Sequence, residues 1–116
     1  MTKVIIAGGR DFTNTEILFQ NCDEILKEYQ GIEIVSGTAK GADKMGEFYA
    51  NQRGYSVKRF PAQWDKYGKS AGYVRNKEMS DYGDLLIAFW DGSSKGTKNM
   101  IELAESKKIP THVIRY

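Results

Sequence analysis

Short apolar runs closed by glycine recur along the whole chain, separated by segments with the 3.6-residue period of a helix, and this alternation restricts the possible folds more than any other feature. Lys3–Ala7 is a continuous apolar run stopped by Gly8-Gly9, the pattern of a strand buried on both faces. From an N-cap at Thr13 or Asn14 as far as Tyr29, the residues Leu18, Cys22, Ile25, Leu26 and Tyr29 keep helical spacing, and Gly31 ends the segment. Ile32–Ser36 repeats the strand. Ala42–Gln52 repeats the helix, with Ala42, Met45, Phe48 and Tyr49 predicted to face inward and Gly54 as its stop. Tyr55–Phe60 alternates as an edge strand does and ends at Pro61. Trp64–Gly72 is predicted as a loop leading to a helix over Tyr73–Tyr82. Asp84–Trp90 is the most apolar strand, and a helix over Thr97–Lys107 and a strand over Thr111–Arg115 follow.

Strands alternating with helices are joined by crossovers, which produces a parallel sheet covered on both faces. The predicted fold is α/β: a Rossmann-like three-layer domain over residues 1–116, with a five-stranded, mostly parallel sheet in the order 3-2-1-4-5. A chain of 116 residues buries roughly 60–68% of the surface its unfolded form exposes, enough for one core and not for two domains. No stretch approaches the ~20 apolar residues of a membrane span, and Val4–Ala7 is too short for a signal-peptide core. The single Cys22 and single His112 exclude an internal disulfide and the usual zinc ligand sets. The expected location is cytoplasmic, with no membrane partner and no protein-held metal.

In a parallel sheet every strand-to-helix loop emerges at the carboxyl edge, and ligands bind where the winding reverses. The expected crevice lies between the first and fourth strands, flanked by Gly8–Phe12 and Asp91–Thr97, with Gly37–Asp43 beside it. Each loop combines glycine, hydroxyls or charged side chains, and a helix N-terminus, a chemistry that suits phosphate. Spacing excludes two standard nucleotide motifs. Ala42 stands five residues after Gly37 and Thr97 five after Gly92, where a phosphate loop needs glycine, and Gly8-Gly9-Arg10 is not a dinucleotide fingerprint.

Gly8–Phe12, Ser36–Asp43, the stretch from Trp64 through Gly68-Lys69-Ser70-Ala71-Gly72-Tyr73-Val74-Arg75-Asn76 to Met79, and Gly96-Thr97 together resemble the YspA-type branch of the SLOG superfamily. The resemblance covers nearly the whole chain. That superfamily is similar in fold to a Rossmann domain and includes the LOG phosphoribohydrolases and the DNA-processing protein DprA. It implies that Gly8, Gly9 and the Gly37–Gly41 loop meet the ribose and phosphate of a ligand, that Gly96-Thr97 cradles phosphate, and that Arg75 and Asn76 read the ligand from a helix start. The candidate ligand-binding residues are Gly8, Gly9, Arg10, Asp11, Ser36, Gly37, Thr38, Lys40, Gly41, Asp43, Arg75, Asn76, Gly96 and Thr97. Asp11 and Arg75 are the candidate catalytic residues. LOG enzymes carry a catalytic Glu three residues after the Gly-Thr, and this chain has Met100 there, while Glu102 projects in another direction from the helix.

Asp11 suits a ribose hydroxyl or a metal bound to phosphate, so that no cofactor is required by the residues and Mg2+ could accompany a phosphate ligand. Asp43 either meets the ligand or caps its helix, where an acid gains ~0.3–1 kcal/mol. Arg75 offers a bidentate fork to phosphate, and Trp64, Tyr67 and Tyr73 either stack on a base or pack the loop down. The resulting reading is a protein that binds a nucleotide-derived small molecule, ADP-ribose-like or a nucleoside phosphate, as a sensor or sequestering protein. The alternative is an N-glycosidase acting on nucleoside phosphates with Asp11 or Asp43 as base. Single-stranded nucleic-acid binding ranks third, because 17 basic against 15 acidic residues leave a net charge of only +2, which argues against a nucleic-acid partner. A homo-oligomer formed through the aromatic-rich Trp64–Tyr82 segment is left open.

Overall fold

A computed structural model describes residues 1–116. The apolar runs form strands because neighbouring side chains are buried on opposite faces. In β1 (Thr2–Gly8), Val4 and Ile6 enter one apolar cluster while Ile5 and Ala7 enter another. β2 (Ile32–Ser36) divides Ile34 from Val35 in the same way. β4 (Leu85–Trp90) sends Leu85, Ile87 and Phe89 to one cluster and Leu86 and Ala88 to the other. With β3 (Ser56–Arg59) and β5 (Thr111–Arg115) at the edges, all pairings are parallel and the order is β3-β2-β1-β4-β5, the predicted Rossmann-like arrangement.

α1 (Thr15–Leu26) and α2 (Ala42–Arg53) cover one face through Leu18, Cys22, Leu26, Tyr49 and Ala50. Next come a single-turn helix, α3 (Trp64–Tyr67), and a 3₁₀ turn over Gly68–Ser70. α4 (Ala71–Tyr82) and α5 (Lys95–Ser106) then cover the second face with Met79, Met100, Ile101 and Ala104. No helix is long and apolar enough to cross a membrane.

Several local expectations are corrected. Trp64–Gly72 is not a loop: Trp64–Ser70 is helical, and α4 begins two residues earlier than predicted. α5 begins at Lys95 rather than Thr97, because Ser94 is its N-cap and accepts the Thr97 N–H, so Gly96 and Thr97 lie inside the first turn. α1 stops at Leu26, where the Tyr29 N–H folds back onto the Leu26 carbonyl at 3.0 Å, rather than running on to Tyr29. Phe48 is 50% exposed and leans on Phe19 at the surface instead of facing inward, since the helix turns it away from the line through Met45 and Tyr49.

Candidate functional site

The carboxyl edge is shaped by glycines that let backbones touch. A Cβ on Gly8 would strike the Phe89 carbonyl and lie 2.7 Å from the Ala42 Cβ, so the start of α2 packs directly on the end of β1. Gly41 has φ +79° and presses against the Gly9 carbonyl, which accepts the Ala42 N–H at 3.2 Å. The first amide of α2 is thereby taken up within the protein.

Around these contacts lies a cavity of about 520 Å³, lined by Gly8 to Asp11 after β1, Asp43 on α2, Trp64, Lys69, Tyr73, Arg75 and Asn76 from the α3–α4 region, and Asp91, Ser94, Gly96, Thr97 and Met100 from β4–α5. Its size falls within the roughly 300–1,000 Å³ of small-molecule sites. A second hollow of about 470 Å³ adjoins it and is lined by Gly37, Thr38, Lys40, Pro61 and Ala62; Arg10, Ala39, Trp64 and Arg75 belong to both. Ser36 and Gly41 line neither. Ser36 is buried, donates to Glu47 Oε2 at 2.6 Å and accepts the Thr38 N–H at 3.0 Å, which makes it a support for the β2–α2 loop. In that loop Thr38 has φ +67°, a sparsely populated conformation for a β-branched residue.

Arg75 joins the two hollows. Only 9% exposed, it donates from Nε to Asn76 Oδ1 at 3.0 Å and from Nη1 to the Gly37 carbonyl, while Nη2 has no partner within the protein. No side-chain polar atom is both fully buried and unpaired, so Nη2 keeps access to the cavity. Burial pulls the guanidinium pKa down, and the nearby Asp43 charge opposes that shift. Asp43 is itself 6% exposed and its Oδ2 accepts the Ala39 N–H at 3.1 Å. Burial raises its pKa to about 6 in spite of that hydrogen bond and of Arg75. Gly37 sits between the two: a Cβ there would lie 2.7 Å from both Asp43 Oδ2 and Arg75 Nη1.

Asn76 lines the cavity and also ties two helices together. Its Nδ2 donates to the Gly96 carbonyl at 3.2 Å and to Asn99 Oδ1 at 3.0 Å, tying α4 to the first turn of α5. Thr97 is buried with its hydroxyl 3.1 Å from Ser94 Oγ. Of the first amides of α5, that of Thr97 is taken by Ser94 Oγ, while that of Gly96 has no carbonyl partner within the helix and lies at the cavity. Asp11 is exposed and accepts the Tyr116 hydroxyl at 2.7 Å; burial and this contact push the Tyr116 pKa up. Asp91 accepts the N–H groups of Ser93 and Ser94, each at 2.8 Å, which holds its carboxyl below the usual range. Asp11, Asp43 and Asp91 do not form a metal-holding group, so a Mg2+ ion here would depend on phosphate oxygens. Met100 is buried in the cavity lining at the position where LOG enzymes have their Glu.

Lys69, Gly72, Asp91 and Ser94 also line the cavity and were not among the predicted site residues. A sequence signal existed for two of them: Asp91 and Ser94 cap the turn that starts α5. Trp64 and Tyr73 stand on the rim, 52% and 48% exposed.

The profile of YAcAr, described as the YspA, cpYpsA-related SLOG family, matches residues 2–67. The chain belongs to this SLOG family. Those residues hold β1 to β3 and both glycine loops that follow β1 and β2. Gene 61 protein of Mycobacterium phage D29 is 34% identical over 117 residues, covering 95% of this chain and 94% of that protein. Two solved structures share the fold: DNA processing protein A from Streptococcus pneumoniae, with TM-score 0.72 and 16% identity, and that from Helicobacter pylori, with TM-score 0.70 and 20% identity. Each match covers 97% of this chain, which spans only 49% and 64% of those proteins. The Helicobacter protein is described through its single-stranded DNA binding mode. That finding overturns the argument from net charge against a nucleic-acid partner. The fold occurs in a protein that binds single-stranded DNA, and a whole-chain charge of +2 says little about one edge of the sheet.

Proposed function

We propose that residues 1–116 bind the sugar-phosphate part of a nucleotide-derived ligand in the cavity between the loops after β1 and β4, as a sensor or sequestering protein. The observation that carries this reading is the unpartnered Nη2 of the nearly buried Arg75, in a cavity that also contains the first turn of α5. A guanidinium nitrogen that faces the cavity without a protein acceptor is suited to an anion, and the Gly96 amide at the helix start adds to that preference. In this proposal Gly8, Gly9 and Gly96 allow close backbone approach, Arg10 and Arg75 meet phosphate, Asp11 and Asp43 accept ribose hydroxyls, and Asn76 and Thr97 hold the α5 turn in place. Trp64 and Tyr73 supply faces for a base. The N-glycosidase alternative assigns the base to Asp43, whose pKa of about 6 suits proton transfer near neutrality.

Single-stranded nucleic acid is the second reading, favoured by the two half-exposed aromatics beside Arg10, Lys40 and Lys69 and by the likeness to DNA processing protein A. The test is calorimetric titration with AMP, with adenosine and with a ten-nucleotide oligothymidylate at two salt concentrations, monitoring free adenine in parallel. The expected result is AMP binding that exceeds adenosine binding and drops at least tenfold in Arg10→Ala. Binding of the oligonucleotide alone, weakening steeply with salt, replaces the small-molecule reading with the second one. Release of adenine from AMP, lost in Asp43→Asn, makes the protein a hydrolase.

A further inference from the structure

The two adjoining hollows differ in charge. The first carries Arg10, Lys69 and Arg75 against Asp11, Asp43 and Asp91, a balanced set suited to hydroxyls and a base as well as to one anion. The second carries Arg10, Lys40 and Arg75 and no carboxylate. Neither Arg10 nor Lys40 takes part in any salt bridge. Two loop amides are already committed, Thr38 N–H to Ser36 and Ala39 N–H to Asp43, and the charge of the second hollow comes from side chains. Arg75 Nη2 and the edge of the Trp64 ring lie 3.8 and 3.9 Å from where a Gly72 Cβ would stand in the first hollow, and Arg75 and Trp64 line both hollows and so form the seam between them.

We propose that the second hollow is a subsite for a second phosphate, so that the ligand is a nucleotide derivative with at least two phosphates rather than a mononucleotide. This rests on the small-molecule reading above. The first phosphate lies by the α5 turn and the second by Lys40, with Arg10 and Arg75, which line both hollows, standing between the two. Lys40 has no carboxylate beside it in this hollow, and Arg10 and Arg75 share the nearby Asp43 charge, so the three cations repel one another with only partial compensation. A phosphate with its several acceptor oxygens removes that repulsion.

The test is calorimetric titration of AMP and ADP, and of GMP and GDP, into the wild-type chain, Lys40→Glu and Lys98→Glu. Lys98 is exposed, lies outside both hollows and serves as a control of equal charge change. The diphosphate is expected to bind about tenfold more tightly than its monophosphate, the gain of one charge-assisted contact. Lys40→Glu brings that ratio to about one, and Lys98→Glu leaves it unchanged. Equal affinity for mono- and diphosphate in the wild type, or an unaltered ratio in Lys40→Glu, overturns the second-phosphate subsite while leaving the nucleotide reading in place. If none of the four nucleotides binds the wild type, the nucleotide reading itself fails and takes the subsite with it.

Discussion

Replacing Asp43 by Asn should stabilise the fold at neutral pH, against the usual direction for a buried polar residue. The carboxyl is 6% exposed and its pKa rises from 3.8 to about 6 on folding, chiefly through burial. An acid with a raised folded-state pKa binds its proton more tightly in the native state, so its ionisation weakens the fold progressively as pH climbs from 3.8 through about 6. With about 1.4 kcal/mol for each pKa unit, the cost reaches about 3 kcal/mol at pH 7 and about half of that at pH 5. Asn keeps an oxygen for the Ala39 N–H and never ionises. Urea denaturation of both proteins between pH 5 and pH 8 reads the effect as a difference, which cancels opposing contributions from Asp23, Asp81 and Asp91, whose pKa values are lowered. The variant should gain stability over the wild type, and the gain should grow by about 1 kcal/mol from pH 5 to pH 7. A constant difference across that range, or a loss of stability at pH 7, would refute the assignment of the raised pKa to Asp43.

Three further outcomes are expected. Arg75→Ala leaves the Gly37 carbonyl and Asn76 Oδ1 without their donors and should cost about 1–3 kcal/mol in chemical denaturation, with the Asp43 pKa, followed by NMR titration, moving further up. Gly96→Ala meets nothing within 4 Å and should stabilise the helix by roughly 0.5–1 kcal/mol, while weakening AMP if phosphate approaches the α5 backbone; the two effects are separated by thermal melts with and without nucleotide. The Cys22 thiol is fully buried with its pKa pushed up, so a thiol reagent should leave the native protein unlabelled at pH 8 and react once urea unfolds it; rapid native labelling would contradict that burial.

Much of the fold was legible in the sequence because burial on both faces forces continuous apolar runs, and Val4–Ala7 and Leu85–Phe89 can satisfy that demand only as inner strands. Alternation with helical segments then implied parallel crossovers, the order of the strands, and the sheet edge at which the glycine loops after β1, β2 and β4 gather. What periodicity could not convey was the use each polar side chain finds across long separations in the chain. Arg75 meets Gly37 across 38 positions and Asn76 meets Asn99 across 23, so their burial and roles depend on how α4 settles against the second strand's loop and the first turn of α5. Ser36 looked like a ligand group from its place before Gly37, yet the packing of α2 gives it Glu47 as a partner instead. The helical turn at Trp64–Tyr67 was likewise hidden, since four residues are too few to display a period. The separation of an acid-free hollow from a charge-balanced one arises only when residues from four loops converge, because charge at a site is a property of distances in space and not of neighbours in the chain.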